Sequence, residues 1–336
     1  MKPFGYSQPT SISETISLLK QSSGTDSNRP RVLAGGTDLL TLMKEELIAP
    51  DSLIDIKRLK DLDGEISLQH DVLRIGALAT LASIERHPLV RKHATALSQA
   101  ALLAASPQLR NMATIGGNVL QRPRCWYFRD RDVSCWLKGG DTCPALEGEN
   151  QLHAIFSECP CHAVHPSDPA TALVALDAKV LIRRPFGERS EPVEKFFALP
   201  AEERRTENTL ESDEIITGLE IPIHESNSSS LYLKAMNRKV WAFALVGVGL
   251  GVRFSDHVVS DVRLVLGGVA PIPRLIPEAA TALVGRPLDP ARFDEIAELA
   301  LAKATPLRLN GYKRNLAQGL IRQALEETAR TLNTDV

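Results

Sequence analysis

Two glycine pairs, Gly35-Gly36 after Arg31-Val32-Leu33-Ala34 and Gly116-Gly117 after Ala113-Thr114-Ile115, limit this chain more than any other feature. Adjacent glycines let main-chain N–H groups converge on an anion, because no Cβ blocks the approach and positive φ costs little. The first pair reads as strand, glycine turn, helix, with Thr37 adding a hydroxyl and the helix starting at Leu39. The second is expected to be another glycine turn, behind a helical stretch over residues 88–105 whose proline sits at the tolerated first turn. Either pair alone is an ordinary turn signal. Neither fits G-x-G-x-x-G with an acidic residue about twenty positions on, which disfavours a Rossmann nucleotide site. Two such turns in one unit suit a long ligand with a pyrophosphate in its middle.

The rest of the chain reads as α+β. Ser11-Ile12-Ser13-Glu14 has capping-box spacing, and Ile12, Ile16 and Leu19 recur on one helical face. Strands are expected at 53–56, 72–75, 179–184 and 214–222, with helices at 81–86 and 170–176. The polar run 224–230 is the clearest linker. Beyond it, 231–235, 243–254 and 258–266 read as an antiparallel meander, followed by helices at about 276–284, 290–304 and 312–332. A length of 336 residues favours two domains, 1–224 and 228–334, the first divided near residue 57.

All five cysteines, Cys125, Cys135, Cys143, Cys159 and Cys161, fall in one segment directly behind the second glycine pair. An odd number leaves a thiol over from any disulfide scheme, and a chain this long does not need covalent staples. Thiolates around a metal or an iron-sulfur cluster are therefore expected. Intervals of nine, seven and fifteen or seventeen residues fit neither the paired cysteines of structural zinc nor the ferredoxin pattern, so spacing leaves iron-sulfur and zinc both open. A formal charge of −2 with mixed signs gives no electrostatic footprint for nucleic acid. The longest apolar runs, such as 243–252, are too short to span a bilayer. The first residues lack a signal-peptide pattern, so a cytoplasmic location is expected, with periplasmic export alongside a signal-bearing partner as the alternative.

Several motifs together carry a family resemblance. Val32-Leu33-Ala34-Gly35-Gly36-Thr37-Asp38-Leu39, Ile75-Gly76-Ala77-Leu78-Ala79-Thr80-Leu81 and Arg110-Asn111-Met112-Ala113-Thr114-Ile115-Gly116-Gly117-Asn118 occur in that order. His165-Pro166-Ser167-Asp168, Leu266-Gly267-Gly268-Val269-Ala270-Pro271 and Asn310-Gly311-Tyr312-Lys313 follow. This series resembles the FAD-binding medium subunit of the xanthine dehydrogenase and aldehyde oxidoreductase family of molybdenum hydroxylases. The resemblance implies a two-part FAD-binding domain of the vanillyl-alcohol oxidase (PCMH) type, then a CO dehydrogenase flavoprotein-like C-terminal domain with a three-stranded antiparallel sheet and helices. It assigns Val32, Leu33, Ala34, Gly35, Gly36, Thr37, Asp38 and Leu39, with Thr80, Asn111, Ala113, Thr114, Ile115, Gly116, Gly117 and Asn118, to the FAD. Asp168 would accept a hydrogen bond from the cofactor, Ile216 would pack on the flavin ring, and Lys234 would lie at its polar edge.

The cysteine-rich insertion, about 121–163, resembles the subset of this family that carries an extra 4Fe-4S cluster: aldehyde oxidoreductases and the beta subunit of 4-hydroxybenzoyl-CoA reductase. By that resemblance the ligands are Cys125, Cys135, Cys143 and Cys161, with Cys159 as a bystander or a replacement. Arg122, Arg124, Arg129 and Arg131 would then offset the charge of a cluster, or form a solvated basic face. No molybdopterin motif and no plant-type ferredoxin spacing is present, so substrate oxidation is expected in partners. The implied assembly is a heterotrimer with a large molybdopterin subunit and a small 2Fe-2S subunit, delivering electrons from an aldehyde or N-heterocycle to an external acceptor. Residues 236–239, Met236-Asn237-Arg238-Lys239, differ from relatives of this type in the region where acceptor use varies. The competing expectations are a stand-alone flavin oxidoreductase of the vanillyl-alcohol oxidase type and a zinc-stabilised binding module.

Overall fold

The structure is a computed structural model that describes residues 1–21, 27–224 and 227–334. Among the described residues the strands form three sheets. The first is a short parallel sheet of β1 (Gly5–Ser7), β2 (Arg31–Leu33) and β3 (Ser52–Asp55), in the order β1-β3-β2. Its central strand is buried through Leu53 and Ile54, and the helix Ile12–Lys20 covers it with Ile12, Ile16 and Leu19. That helix starts where the capping pattern predicts: Ser11 Oγ accepts from Glu14 N at 3.2 Å. The Glu14 carboxylate reaches back one residue further than a standard box, to Thr10 N at 2.7 Å.

The second sheet is antiparallel, with β4 (Ile66–Gln69), β5 (Val72–Gly76), β6 (Lys179–Arg184), β7 (Gly187–Pro192) and β8 (Ile215–Pro222) in the order β4-β5-β8-β6-β7. The sequence pattern found its inner strands and missed both edges. Leu68 at one edge and Phe186 beside the other are exposed, so neither edge shows an apolar run. The helical stretch 88–105 is two helices, Pro88–His93 and Thr95–Leu103, because Ala94 leaves the helical region at φ −141° and ψ 52°.

The third sheet corrects the expected three strands to four. β9 (Ser228–Ala235), β10 (Val246–Ser255) and β11 (Val258–Gly267) form the meander, and a two-residue strand, β12 (Arg274–Leu275), pairs with β11. A pair of residues carries no periodicity, which is why sequence pattern misses it. The predicted linker 224–230 includes Glu225 and Ser226, which lie outside the described residues, and β9 already begins at Ser228. Helices Pro277–Leu283 and Tyr312–Thr334 pack on this sheet with Phe293–Ala300 against them, and residues 290–292 of the predicted helix 290–304 form a separate single turn.

The cysteine segment bridges these bodies. Ile155 and Phe156 belong to the core of the third sheet, and their N–H groups both donate to Val269 O, at 2.9 and 3.1 Å. Leu42 of the helix Leu39–Lys44 is buried instead with Phe128, Cys135, Trp136, Leu137, Cys161 and Ala163 in a small separate core. Among the described residues no helix is long and apolar enough to cross a membrane.

Candidate functional site

β2 ends at Leu33 and the chain turns sharply. A Cβ on Gly35 would lie 2.0 Å from Met112 O, so only glycine lets this loop press against the 112–113 backbone. Gly36 follows at φ +71°. Among the described residues none of the main-chain N–H groups of residues 35–39 donates to a protein acceptor, the first to do so being Leu40 N, to Gly36 O at 3.1 Å. A run of uncommitted amides at a glycine turn ahead of a helix is the arrangement that receives phosphate oxygens.

The second pair is not a turn, as predicted, but the start of a short helix, Ile115–Val119. Thr114 caps it, its Oγ1 accepting from Gly117 N at 3.3 Å. Ile115 N and Gly116 N donate to Ala79 O and Ala77 O at 2.8 and 3.0 Å, and Thr80 and Thr114 form an antiparallel bridge. A Cβ on Gly116 would stand 3.1 Å from that of Ala77, so glycine is needed there for close packing. A Cβ on Gly117 would meet only Thr114 Oγ1, at 3.2 Å, and Gly117 faces open space.

Both segments line one cleft of about 1320 Å³. Val32, Ala34, Gly35, Gly36, Thr37, Asp38 and Leu39 contribute from the first; Ala113, Thr114, Gly116, Gly117 and Asn118 from the second; Ile216 from β8. Four predicted residues stand behind the wall instead. Leu33 packs beneath Gly36, Ile115 is fully buried, Thr80 caps the helix Leu81–Arg86 by accepting from Ser83 N at 3.1 Å, and Asn111 is exposed at the end of the helix Pro107–Arg110. The cleft residues fit a flavin nucleotide, with free amides at a phosphate-sized turn, a glycine at 117 where a side chain would intrude, and an apolar wall at Ile216.

Asp168 and Lys234 do not line this cleft; they pair with each other. Asp168 opens the helix Asp168–Ala175, and Oδ2 accepts from Lys234 Nζ at 2.7 Å while Oδ1 accepts from Tyr232 Oη at 2.6 Å. Lys234 also donates to Leu103 O at 3.0 Å. Burial pushes the Asp168 carboxyl up, opposed by the Lys234 ammonium, and burial beside Asp168 drives the Tyr232 phenol well above its ordinary range. Sequence reasoning missed Tyr232. Its signal was available: Tyr232 and Lys234 are two apart on β9 and share a face. Gly247 makes room for the phenol, since a Cβ there would lie 2.5 Å from Tyr232 Oη.

The cysteines are gathered in and around the small core that holds Leu42. Cys135, Cys143 and Cys161 are buried, Cys125 and Cys159 half-buried, and all five are free. Burial pushes Cys125 up to about 12, with Cys135 and Cys143 close enough to raise it further. Cys143, Cys159 and Cys161 rise for the same reason, Cys161 well above the usual thiol range, with Cys143 acting on both Cys159 and Cys161. Main-chain N–H groups are turned toward four of these sulfurs: those of Tyr127 and Phe128 toward Cys125, Ala145 and His162 toward Cys143, Cys161 toward Cys159, and Ala163 toward Cys161 at 3.5 Å. Cys159 Sγ spends its proton on Cys161 O at 3.3 Å. Among the described residues no group of three or more His, Cys, Asp or Glu could hold a single metal ion. His153 Nε2 lies 3.1 Å from Cys125 Sγ, and burial lowers this imidazole to about 4, so it is neutral at pH 7.

Residues 2–224 match the family described as the FAD binding domain in molybdopterin dehydrogenase, and residues 231–328 match the CO dehydrogenase flavoprotein C-terminal domain. The chain is similar to the aldehyde oxidoreductase FAD-binding subunit PaoB of Escherichia coli, 36% identical over 97% of this chain and 98% of that one. It is also similar to the nicotinate dehydrogenase FAD-subunit of Eubacterium barkeri, 30% identical over 96% of this chain and 95% of the relative. Among solved structures it resembles a chain of carbon monoxide dehydrogenase from Hydrogenophaga pseudoflava, with a TM-score of 0.75, 26% identity and coverage of 97% and 98%. With family matches over most of its length, the chain belongs to the FAD-binding medium subunits of the molybdenum hydroxylases, oxidoreductases of the aldehyde, xanthine and CO dehydrogenase type.

Proposed function

We propose that this chain is the FAD- and 4Fe-4S-binding electron-transfer subunit of a heterotrimeric molybdenum-dependent oxidoreductase of the aldehyde oxidoreductase or xanthine dehydrogenase type. The observation that carries the reading is a shared wall: Cys135, from the buried cysteine group, lines the same cleft as Gly35, Gly36 and Gly117. When bound, FAD would supply the exchange between one-electron carriers and an external acceptor. The chain's own part is to hold and insulate. Amides of residues 35–39 would receive the diphosphate, and Thr114 to Asn118 would flank it. Ile216 would pack on the ring.

Cys125, Cys135, Cys143 and Cys161 would hold the cluster. Burial alone makes thiolates costly at Cys125, Cys143 and Cys161, so a metal that binds them deprotonated satisfies the site, and the converging N–H groups suit sulfur that carries negative charge. Beside a flavin cleft a cluster has a use in one-electron transfer that redox-silent zinc lacks, which favours the cluster. Electrons would arrive from a small 2Fe-2S subunit fed by a large molybdopterin subunit, as the sequence carries neither a molybdopterin motif nor plant-type ferredoxin spacing. The PaoB relative favours an aldehyde as the substrate of the complex.

Anaerobic reconstitution tests the reading. Flavin bands over a broad iron-sulfur absorption, with about four iron atoms per chain and no zinc, are expected. Cys161→Ser should lose the iron and Cys159→Ser should keep it. Stoichiometric zinc without iron refutes the cluster assignment, and iron loss confined to the Cys159 variant reassigns the fourth ligand.

A further inference from the structure

Asp38 sits in the glycine loop and lines the cleft, yet its carboxylate is spent elsewhere. Oδ1 is ion-paired with Arg124 Nη1 at 2.7 Å and accepts from Arg129 Nη2 at 2.8 Å, and Oδ2 accepts from Arg122 N at 2.9 Å. All three donors come from the cysteine segment, on both sides of Cys125. The side chain is only 15% exposed, so this is a mostly desolvated cluster and not a surface pair. Asp38 stands at the N-cap position of the helix Leu39–Lys44 without capping it through its side chain. Its carbonyl alone receives Thr41 N and Leu42 N, at 3.0 and 3.1 Å.

The arginines are themselves held in place. Arg129 donates to Pro123 O at 2.8 Å, Arg122 O at 3.0 Å and Thr41 Oγ1 at 3.3 Å. Arg122 pairs with the buried Glu207 at 3.2 Å, and both Arg122 and Arg129 lie over the Phe128 ring. The next turn of the helix adds an apolar tie, with Leu42 buried against Cys135 and Cys161. The loop is thus fixed from two sides: Gly35 presses on Met112 O, and Asp38 is gripped by the insertion.

We propose that Asp38 is a positioning residue, through which Arg124 and Arg129 of the cysteine segment hold the amides of residues 35–39 in the geometry that binds FAD. Flavin affinity then depends on an intact cysteine segment, and by reciprocity bound FAD stabilises that segment. This rests on the reading of residues 32–39 as the flavin loop, and not on which metal the cysteines hold.

The test is flavin-fluorescence titration of FAD into the full apo-chain. Asp38→Asn, Arg124→Gln and Arg129→Gln should each weaken FAD binding by about tenfold or more, as expected for loss of charge-assisted contacts. The double variant of Asp38→Asn with Arg129→Gln should lose clearly less than the sum of the two single losses, because the two share the Asp38–Arg129 contact. Arg129→Lys keeps the charge without the fork and should recover part of the loss, a rescue that general unfolding would not give. Hydrogen exchange of residues 35–42 should accelerate in Asp38→Asn while circular dichroism stays unchanged. Arg274→Gln, which cuts a different tie of the same segment, to Glu158, should leave affinity within about twofold. The proposal is overturned if Gly36→Ala abolishes FAD binding while Asp38→Asn and Arg129→Gln keep it, or if their losses are additive. FAD binding that survives Gly36→Ala would remove the flavin-loop reading and this proposal with it.

Discussion

Replacing Gly35 by alanine probes the geometry on which the cleft depends. The added Cβ would lie 2.0 Å from Met112 O, 2.8 Å from Met112 C and 3.2 Å from Ala113 Cα, all backbone atoms. Real Cβ contacts essentially never fall below 3.0 Å, so loop and segment must part by at least 1.0 Å, the difference of those two values. The 112–113 side cannot yield freely. Ala113 N donates to Leu109 O at 2.8 Å and Ala113 O accepts from Leu81 N at 2.9 Å. Overpacking of this kind costs about 1–3 kcal/mol, less roughly 0.4–1 kcal/mol recovered from the stiffer unfolded chain. At roughly 2–4 °C per kcal/mol for a large domain, the apo-protein should melt several degrees lower. FAD affinity should fall as well, because the displaced amides are the proposed phosphate ligands. Gly117→Ala is the matched contrast. Its Cβ meets only Thr114 Oγ1, and alanine gains about 1 kcal/mol over glycine in a helix, against some disturbance of the cap. Its stability should therefore stay within about 1 kcal/mol of wild type while the methyl group, facing the cleft, weakens FAD binding. Differential scanning fluorimetry of apo-protein and fluorescence titration with FAD separate the two effects. A Gly35→Ala protein with wild-type melting and affinity, or a Gly117→Ala protein as unstable as Gly35→Ala, refutes the reasoning.

Two buried lysines give further expectations. Lys313 is fully buried, donates to Leu152 O at 2.9 Å and Gly268 O at 2.8 Å, and burial lowers it to about 7. The unfolded chain therefore holds this proton more tightly than the folded one, so stability should rise from about pH 7 toward the ordinary lysine range, with a limiting slope of about 1.4 kcal/mol per unit. Urea denaturation at pH 7 and pH 9 should show that rise reduced in Lys313→Met; an unchanged rise excludes Lys313 as its source. Lys234→Met strands the Asp168 carboxylate beside Tyr232 alone and should cost about 3–5 kcal/mol, and adding Asp168→Asn should recover much of it. A double variant no more stable than Lys234→Met would mean that the lost ion pair is not the cause.

The parts of the fold legible in the sequence are those whose burial is periodic. Ile12, Ile16 and Leu19 announce a helix, and the apolar centres of β5, β6 and β8 announce strands, because each buries a face against a core. The edge strands β4 and β7 are mostly open to solvent and left no such trace, and β12 has two residues in which to leave one. The same distinction runs through the site. Glycines at 35 and 116 are legible because the backbone geometry they permit is local, whereas the partners that make them necessary, Met112 O and the Ala77 Cβ, come from elsewhere in the chain. Asp38 shows the limit most clearly. As a residue in a glycine loop it reads as a cofactor ligand, but its oxygens are taken by groups 84, 86 and 91 positions away, so its role is decided by the segment folded over it. For the cysteines the sequence supplied number and order. What the fold adds is burial, amides turned toward sulfur and a shared wall with the glycine-lined cleft, and those arise only when the segment closes on Leu42 and the glycine loop.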